Sequence, residues 1–224
     1  MASVSLHTAT PEIFVTDSRG LSVRRVACLR SAIGEKAELL VCRQNHDLAE
    51  RPVSGQDPRL GALGGEAVFN TVAIYSLGGL PLCVSSADSG SHIVLFNDNA
   101  ERIHSWDGRA TEWGIELDAL GRPVVLHEQQ DGGLRRAVER YEYAAMSSEA
   151  AGRNLCGRLI RHDDPAGSLK FEDYGLGGNT LRETRAFLLN MDAPDWPASA
   201  GERDAMLAPP TYTSQSLYAP TSEL

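Results

Sequence analysis

The sequence predicts an all-β protein with little helix, made of antiparallel β-hairpins laid side by side in a meandering sheet. A short unit recurs along the chain: a polar residue, usually Asp, two variable positions, Gly, and then one or two apolar residues. Apolar and β-branched residues flank these units with period-2 alternation, as in Ile13-Val15, Leu21-Val23 and Val26, or Ile115-Leu117 with Val124-Leu126. The chain also holds 21 glycines and 11 prolines, spread along its length rather than clustered, which favours many short elements joined by turns.

The clearest copies of the unit are Asp17 to Val23, Asp118 to Val124 and Asp164 to Leu169. Weaker ones are Ser76 to Leu82, Asn154 to Leu159 and Gly175 to Leu181. Asp47 to Val53 and Asp98 to Ile103 carry glutamate where the glycine is due, so those corners need another form. The first residue can bond its own backbone two residues on, and the glycine supplies a positive φ. The residues expected to make turns are therefore Asp17 and Gly20, Asp47, Asp118 and Gly121, Asn154 and Gly157, Asp164 and Gly167, and Gly175 with Gly178. A lone hairpin is marginal in water, so the copies must stack edge to edge. Their uneven spacing argues against a strict solenoid or propeller.

Residues 1–10 read as an N-terminal arm and 11–191 as the repeat region. Within the latter, Arg135 to Ala151 has apolar residues at helical spacing but reads equally as a strand, Arg140 to Tyr143, followed by a small-residue loop; the repeat context favours the strand. Residues 192–210, with Pro194, Pro197, Pro209 and Pro210, read as a loop that Trp196 pins to the sheet. Residues 211–224 resemble the first half of a further repeat.

The net charge of −9 disfavours nucleic acid and anionic membrane as partners. Arg24, Arg25 and Arg30 lie close together and read as solvated strand-face residues. Cys28, Cys42, Cys83 and Cys156 are scattered among apolar neighbours with no C-x-x-C pair, which points to buried free thiols. No apolar run reaches the roughly 20 residues of a membrane span, and no signal peptide is visible at the N-terminus.

Motifs for chemistry are weak. His162-Asp163-Asp164 invites a metal, but strand neighbours point to opposite faces and Asp164 suits a turn before Pro165. His127-Glu128 is expected on an exposed loop. Ser89-Gly90-Ser91-His92 brings a serine near a histidine without a third group. Gly61 to Gly65 and Gly175 to Gly178 lack the Lys-Ser/Thr of a phosphate loop. His104 and Trp106 could offer a small sugar-stacking patch, against the plainer reading of a packed aromatic. No catalytic residue, metal or cofactor is assigned, and the expectation is a protein without its own catalysis.

The units resemble Rhs or YD repeats, Tyr-Asp-x-x-Gly-x-apolar, with the aromatic replaced by Leu117 before Asp118, His46 before Asp47 and His162 before Asp163. Longer segments are similar to the start of the C component (TccC-like) of bacterial insecticidal Tc toxin complexes. They are Asp17 to Arg24, Asp57-Pro58-Arg59-Leu60, Asn154 to Leu159 running into His162 to Gly167, and Asp195-Trp196-Pro197 with Tyr212-Thr213. That resemblance implies a curved Rhs-repeat sheet, part of a hollow shell. Its partners would be a B component, through it the A-component pore, and an enclosed toxin cargo. It further implies a chain made in the bacterial cytoplasm and released within a toxin complex. The half-repeat Tyr218 to Leu224 suggests a truncated C component, and the exposed sheet edges suggest poor solubility or self-association of the isolated chain. The competing expectations are a stand-alone carbohydrate- or receptor-binding Rhs module and a remnant of a truncated toxin gene.

Overall fold

The computed structural model describes residues 6–62 and 68–218. Gly64 and Gly65 of the glycine-rich stretch, and most of the half-repeat ending at Leu224, lie outside the described residues. The chain divides into two compact units, 1–101 with 105–109, and 102–104 with 110–224. The first carries β1 (Ile13–Thr16), β2 (Ser22–Leu29), β3 (Glu38–His46), β4 (Pro52–Gln56), α1 (Pro58–Ala62), β5 (Thr71–Tyr75), β6 (Pro81–Ser86) and β7 (Gly90–Phe96). β8 (Arg102–Trp106) is shared between the two. The second carries β9 (Thr111–Leu117), β10 (Pro123–Gln130), β11 (Arg136–Tyr143), α2 (Ser148–Ala151), β12 (Leu159–Asp164), β13 (Gly167–Tyr174), β14 (Thr180–Phe187), α3 (Ala200–Ala205) and β15 (Tyr212–Gln215). In each unit every strand pairs antiparallel with its neighbour in the chain. The fold is thus all-β with three short helices among the described residues, as the alternation requires.

One corner closes the hairpins. At Asp17 the backbone N–H donates to Leu21 O (2.9 Å), and the Gly20 N–H donates back to Asp17 O (3.0 Å). Asp17 Oδ1 accepts from the N–H groups of Arg19 (2.9 Å) and Leu21 (3.0 Å). This is a tight turn followed by one left-handed residue, a three-residue hairpin loop with a bulge. The same backbone pair recurs at Asp47, Ser76, Asn97, Asp118 and Gly175. The left-handed position holds Gly20, Glu50, Gly79, Ala100, Gly121 and Gly178, with φ between +62° and +90°. Glu50 and Ala100 bear a Cβ there, which costs about 1 kcal/mol each, an amount the two backbone bonds offset.

Three expected corners need correction. The corner in 97–101 starts at Asn97, not Asp98, because Asn97 Oδ1 takes the N–H groups of Asn99 (3.0 Å) and Glu101 (2.9 Å). Asn154 does not open the corner that ends at Gly157. Ala144 does: its N–H donates to Arg158 O (2.9 Å) and the Gly157 N–H to Ala144 O (3.0 Å). Ala145 to Cys156, including α2, therefore stand where other corners hold two residues. Asn154 instead donates from Nδ2 to Tyr174 O (2.8 Å). Asp164 and Gly167 close a different, two-residue turn between β12 and β13, with Asp164 Oδ1 accepting from Ala166 N–H (2.8 Å) and Gly167 N–H (3.1 Å). His127-Glu128 lies within β10 rather than on a loop, and the four free cysteines are half-buried rather than buried. The segment 192–210 is not all loop, since it contains α3.

The two units differ in how much they bury. Every fully buried apolar side chain among the described residues lies in the second, and the nucleus is Val125, Ala137 and Trp196, packed by Val124, Leu188, Met206 and Leu207. Trp196 is 1% exposed. Its N–H donates to Ala137 O (2.8 Å), its carbonyl accepts from Arg140 Nε (2.6 Å), and its indole N–H reaches Asp164 O (3.3 Å). The segment after β14 is thus strapped across the sheet by an aromatic anchor whose polar atoms are all satisfied. Trp196→Ala removes the largest side chain of this nucleus and should cost about 3–5 kcal/mol. Urea denaturation followed by circular dichroism measures it, and the transition of the second unit should move while that of the first stays.

Candidate functional site

The geometry that repeats, and so the candidate site, is a clasp between adjacent hairpins. At the Asp47 corner, Arg51 donates from Nε to Asp47 Oδ2 (2.7 Å) and from Nη1 to Ser76 O of the next corner (2.8 Å). Its guanidinium sits 5.1 Å from the centre of the Tyr75 ring, and the Tyr75 hydroxyl donates to Pro52 O (2.9 Å). At the Asp118 corner, Arg122 donates to Asp118 Oδ2 (2.8 Å) and to Gly157 O (2.8 Å). It lies 4.1 Å over Tyr143, whose hydroxyl donates to Pro123 O (3.0 Å). A third clasp sets Arg158 5.1 Å over Tyr174, whose hydroxyl donates to Leu159 O (2.8 Å). Arg19 makes a partial version, joining Asp17 Oδ2 (3.0 Å) to Asp47 O (2.8 Å).

A planar guanidinium suits this place because it can bond a carboxylate and a carbonyl in its plane while an aromatic ring packs on its face. Each clasp therefore ties one corner to the next through an arginine and a tyrosine from different hairpins. Tyr75, Tyr143 and Tyr174 precede Ser76, Ala144 and Gly175, the corners without Asp, whereas Asp47 and Asp118 follow His46 and Leu117. The Tyr and the Asp of the repeat are shared out between neighbouring corners. The tyrosine partners escaped sequence reasoning, which followed Asp and Gly; the signal was Arg-Pro at 51–52 and 122–123, directly after the left-handed residue.

Electrostatics follow the contacts. Bonds from the guanidinium, then from backbone N–H groups, hold the Asp47 and Asp118 carboxyls below the ordinary 3.8. Burial pushes the Tyr143 and Tyr174 hydroxyls up. In the second unit a buried ion cluster lies under the strap. Asp163, fully buried, accepts from Arg161 Nε (2.8 Å) and lies 2.8 Å from Arg203 Nε, while Arg203 also bonds Glu142 and Ala198 O (2.6 Å). His162 points to the other face, stacked on Tyr141 at 4.5 Å and 2.8 Å from Glu139 Oε2. The triplet His162-Asp163-Asp164 is thus divided among three structural tasks.

Asp57-Pro58-Arg59-Leu60 opens α1. Asp57 Oδ1 caps the Leu60 N–H (3.1 Å), Pro58 occupies the first helical position, and Arg59 Nε donates to Asp57 Oδ2 (2.8 Å). His104 and Trp106 both lie on β8. His104 Nδ1 is 3.2 Å from Glu112 Oε1 and Trp106 is half-buried. Ser89 Oγ and His92 Nε2 come within 3.1 Å at the start of β7. Among the described residues no group of three or more His, Cys, Asp or Glu is placed to hold a metal, and no helix is long and apolar enough to cross a membrane.

Corners of this form, several of them tied by Arg–Tyr clasps, define a sheet of repeated antiparallel hairpins. The chain is similar to the toxin subunits YenC2 and YenC1 of Yersinia entomophaga, at 27% identity over 94% and 86% of its length. It spans 24% and 20% of those subunits, about a quarter or less. No protein-family model matches it. The crystal structure of TcdB2-TccC3 superposes with a TM-score of 0.90 at 25% identity, covering 97% of this chain and 11% of that one. In sequence and fold the chain is thus similar to subunits of toxin complexes.

Two outcomes test the clasps. Tyr143→Phe keeps the ring over Arg122 and loses only the bond to Pro123 O, so it should cost about 1 kcal/mol, read by chemical denaturation. The depressed Asp47 and Asp118 carboxyls contribute stability that is present above 3.8 and lost as the pH falls through their lower folded values. Asp118→Asn should flatten part of this acid loss in thermal melts taken from pH 5 down to pH 2.

Proposed function

We propose that this chain is a non-catalytic wall segment of a Tc-toxin-like C component, which with a B component encloses a toxic polypeptide cargo. The observation that carries this reading is the clasp: a corner with the same backbone bonds recurs along the chain, and at Asp47, Asp118 and Ala144 it is tied to the next by an arginine and a tyrosine. Titratable groups are spent on fixing strands to strands. The likeness to toxin subunits and to TcdB2-TccC3 supports the same role.

Exposure supports an assembled state too. In the first unit Phe14 and Leu39 are each 63% exposed and Ile74 is 60% exposed, on a sheet with no fully buried apolar side chain among the described residues. Such surface is characteristic of a layer that works against partners. In this reading association with the A-component pore runs through the B component, and the complex acts outside the producing cell.

The experiment is co-expression of the full chain with a Tc B component, followed by size-exclusion chromatography. Co-elution as a defined assembly is the expected result. Elution of the two proteins apart, with each folded by circular dichroism, overturns the proposal.

A further inference from the structure

Arg24 and Arg25 are neighbours on β2, so the strand sends them to opposite faces. Arg25 is accounted for: it pairs with Glu12 and lies 5.8 Å over the Phe14 ring. Arg24 is not. It is exposed, has no ion-pair or hydrogen-bond partner among the described residues, and stands directly opposite the exposed Arg43 of β3. Directly opposed residues of an antiparallel pair carry their Cβ atoms about 5 Å apart on one face, where like charges destabilise the sheet.

The surroundings sharpen the case. The row across β1 to β4 reads Val15, Arg24, Arg43, Gln56. Gln56, 4% exposed, accepts from Arg43 Nη1 at 3.0 Å, which fixes one side of that guanidinium and leaves its remaining donors open. The adjacent row on the same face is Ile13, Val26 and Val41, and beyond it lies Leu39. Ile13, Val15 and Leu39 are 49%, 40% and 63% exposed. Two forked cations thus sit beside aliphatic side chains, in a cleft whose carboxylates, Asp57 and Asp88, are both engaged by Arg59.

We propose that Arg24 and Arg43 form a carboxylate-binding fork that receives an acidic–aliphatic segment of a partner polypeptide. An Asp or Glu side chain of the partner takes parallel hydrogen bonds from the two guanidinium groups, the geometry for which arginine is suited. Its aliphatic neighbours cover Ile13, Val15 and Leu39. A polyanion does not fit, because two cations beside aliphatic side chains on a chain of net charge −9 neutralise one or two charges and repel the rest. This site stands independently of the assembly proposed above.

The test uses the full chain and a fluorescein-labelled peptide with a single Glu flanked by Leu and Gln residues, followed by fluorescence anisotropy. Arg24→Gln and Arg43→Gln should each weaken binding by about tenfold or more, as should replacing Glu by Gln in the peptide. Lys36→Gln, on a loop away from the pair, should leave binding unchanged. Arg24→Gln should also melt no lower than the native chain, because it relieves a like-charge contact. Peptide binding indifferent to Arg24→Gln overturns the proposal, and so does a fall in melting temperature with that variant, which would make Arg24 a structural residue. Arg24-dependent binding to phosphatidylserine vesicles without peptide binding overturns the choice of occupant.

Discussion

Everything in this sheet depends on a reciprocal pair of backbone hydrogen bonds at the corner, closed by one residue with positive φ. The pair fixes where each strand turns, and with it the register of the strands on either side. Because side chains alternate with period 2, a slip of one residue would turn a whole strand inside out. The corner is chemically cheap: its first residue is Asp, Asn, Ser, Gly or Ala, and its left-handed residue is glycine in most copies but also Glu50 and Ala100. Backbone geometry defines the repeat, and side chains only favour it.

On that base the clasps add direction. Arg51 and Arg122 each reach from their own corner to a carbonyl of the next, and the tyrosine of that next hairpin reaches back. Such bonds are worth about 1 kcal/mol each and the ring contact about as much, so no clasp dominates. Their effect is to make neighbouring hairpins share partners. In the second unit this is reinforced by the Trp196 strap and by the buried Asp163 with its two arginines. The first unit has no such covering among the described residues and relies on its ladder, α1 and whatever it meets.

The sequence was most legible where a residue acts on its own backbone. Asp17 with Gly20 and Asp118 with Gly121 could be placed because an Asx turn and a left-handed glycine are local properties. The corner at Asn97 lies one residue ahead of the one the sequence suggests, because Asp98 offers the more familiar signal. The corner at Ala144 was invisible, since its two halves are far apart in the chain and its first residue has no polar side chain. Tyr75, Tyr143 and Tyr174 were hidden for a related reason: each partner lies across the sheet, at a distance set by loop lengths. His104, Trp106 and the serine near His92 suggest chemistry by residue type alone. Trp196, by contrast, was readable as an anchor because two prolines flank a large aromatic in a stretch otherwise unable to fold by itself.

The interrupted corner at Ala144 bears on how such a sheet can change. The hairpin still closes between Ala144 and Arg158 although a small helix has been spliced into it. Closing a longer flexible loop costs only about 0.6 kcal/mol for each doubling of its length, so the backbone pair absorbs the detour. This edge of the hairpin is therefore a margin where new sequence can be grafted, altering what the loop presents while the strands beneath keep their alignment.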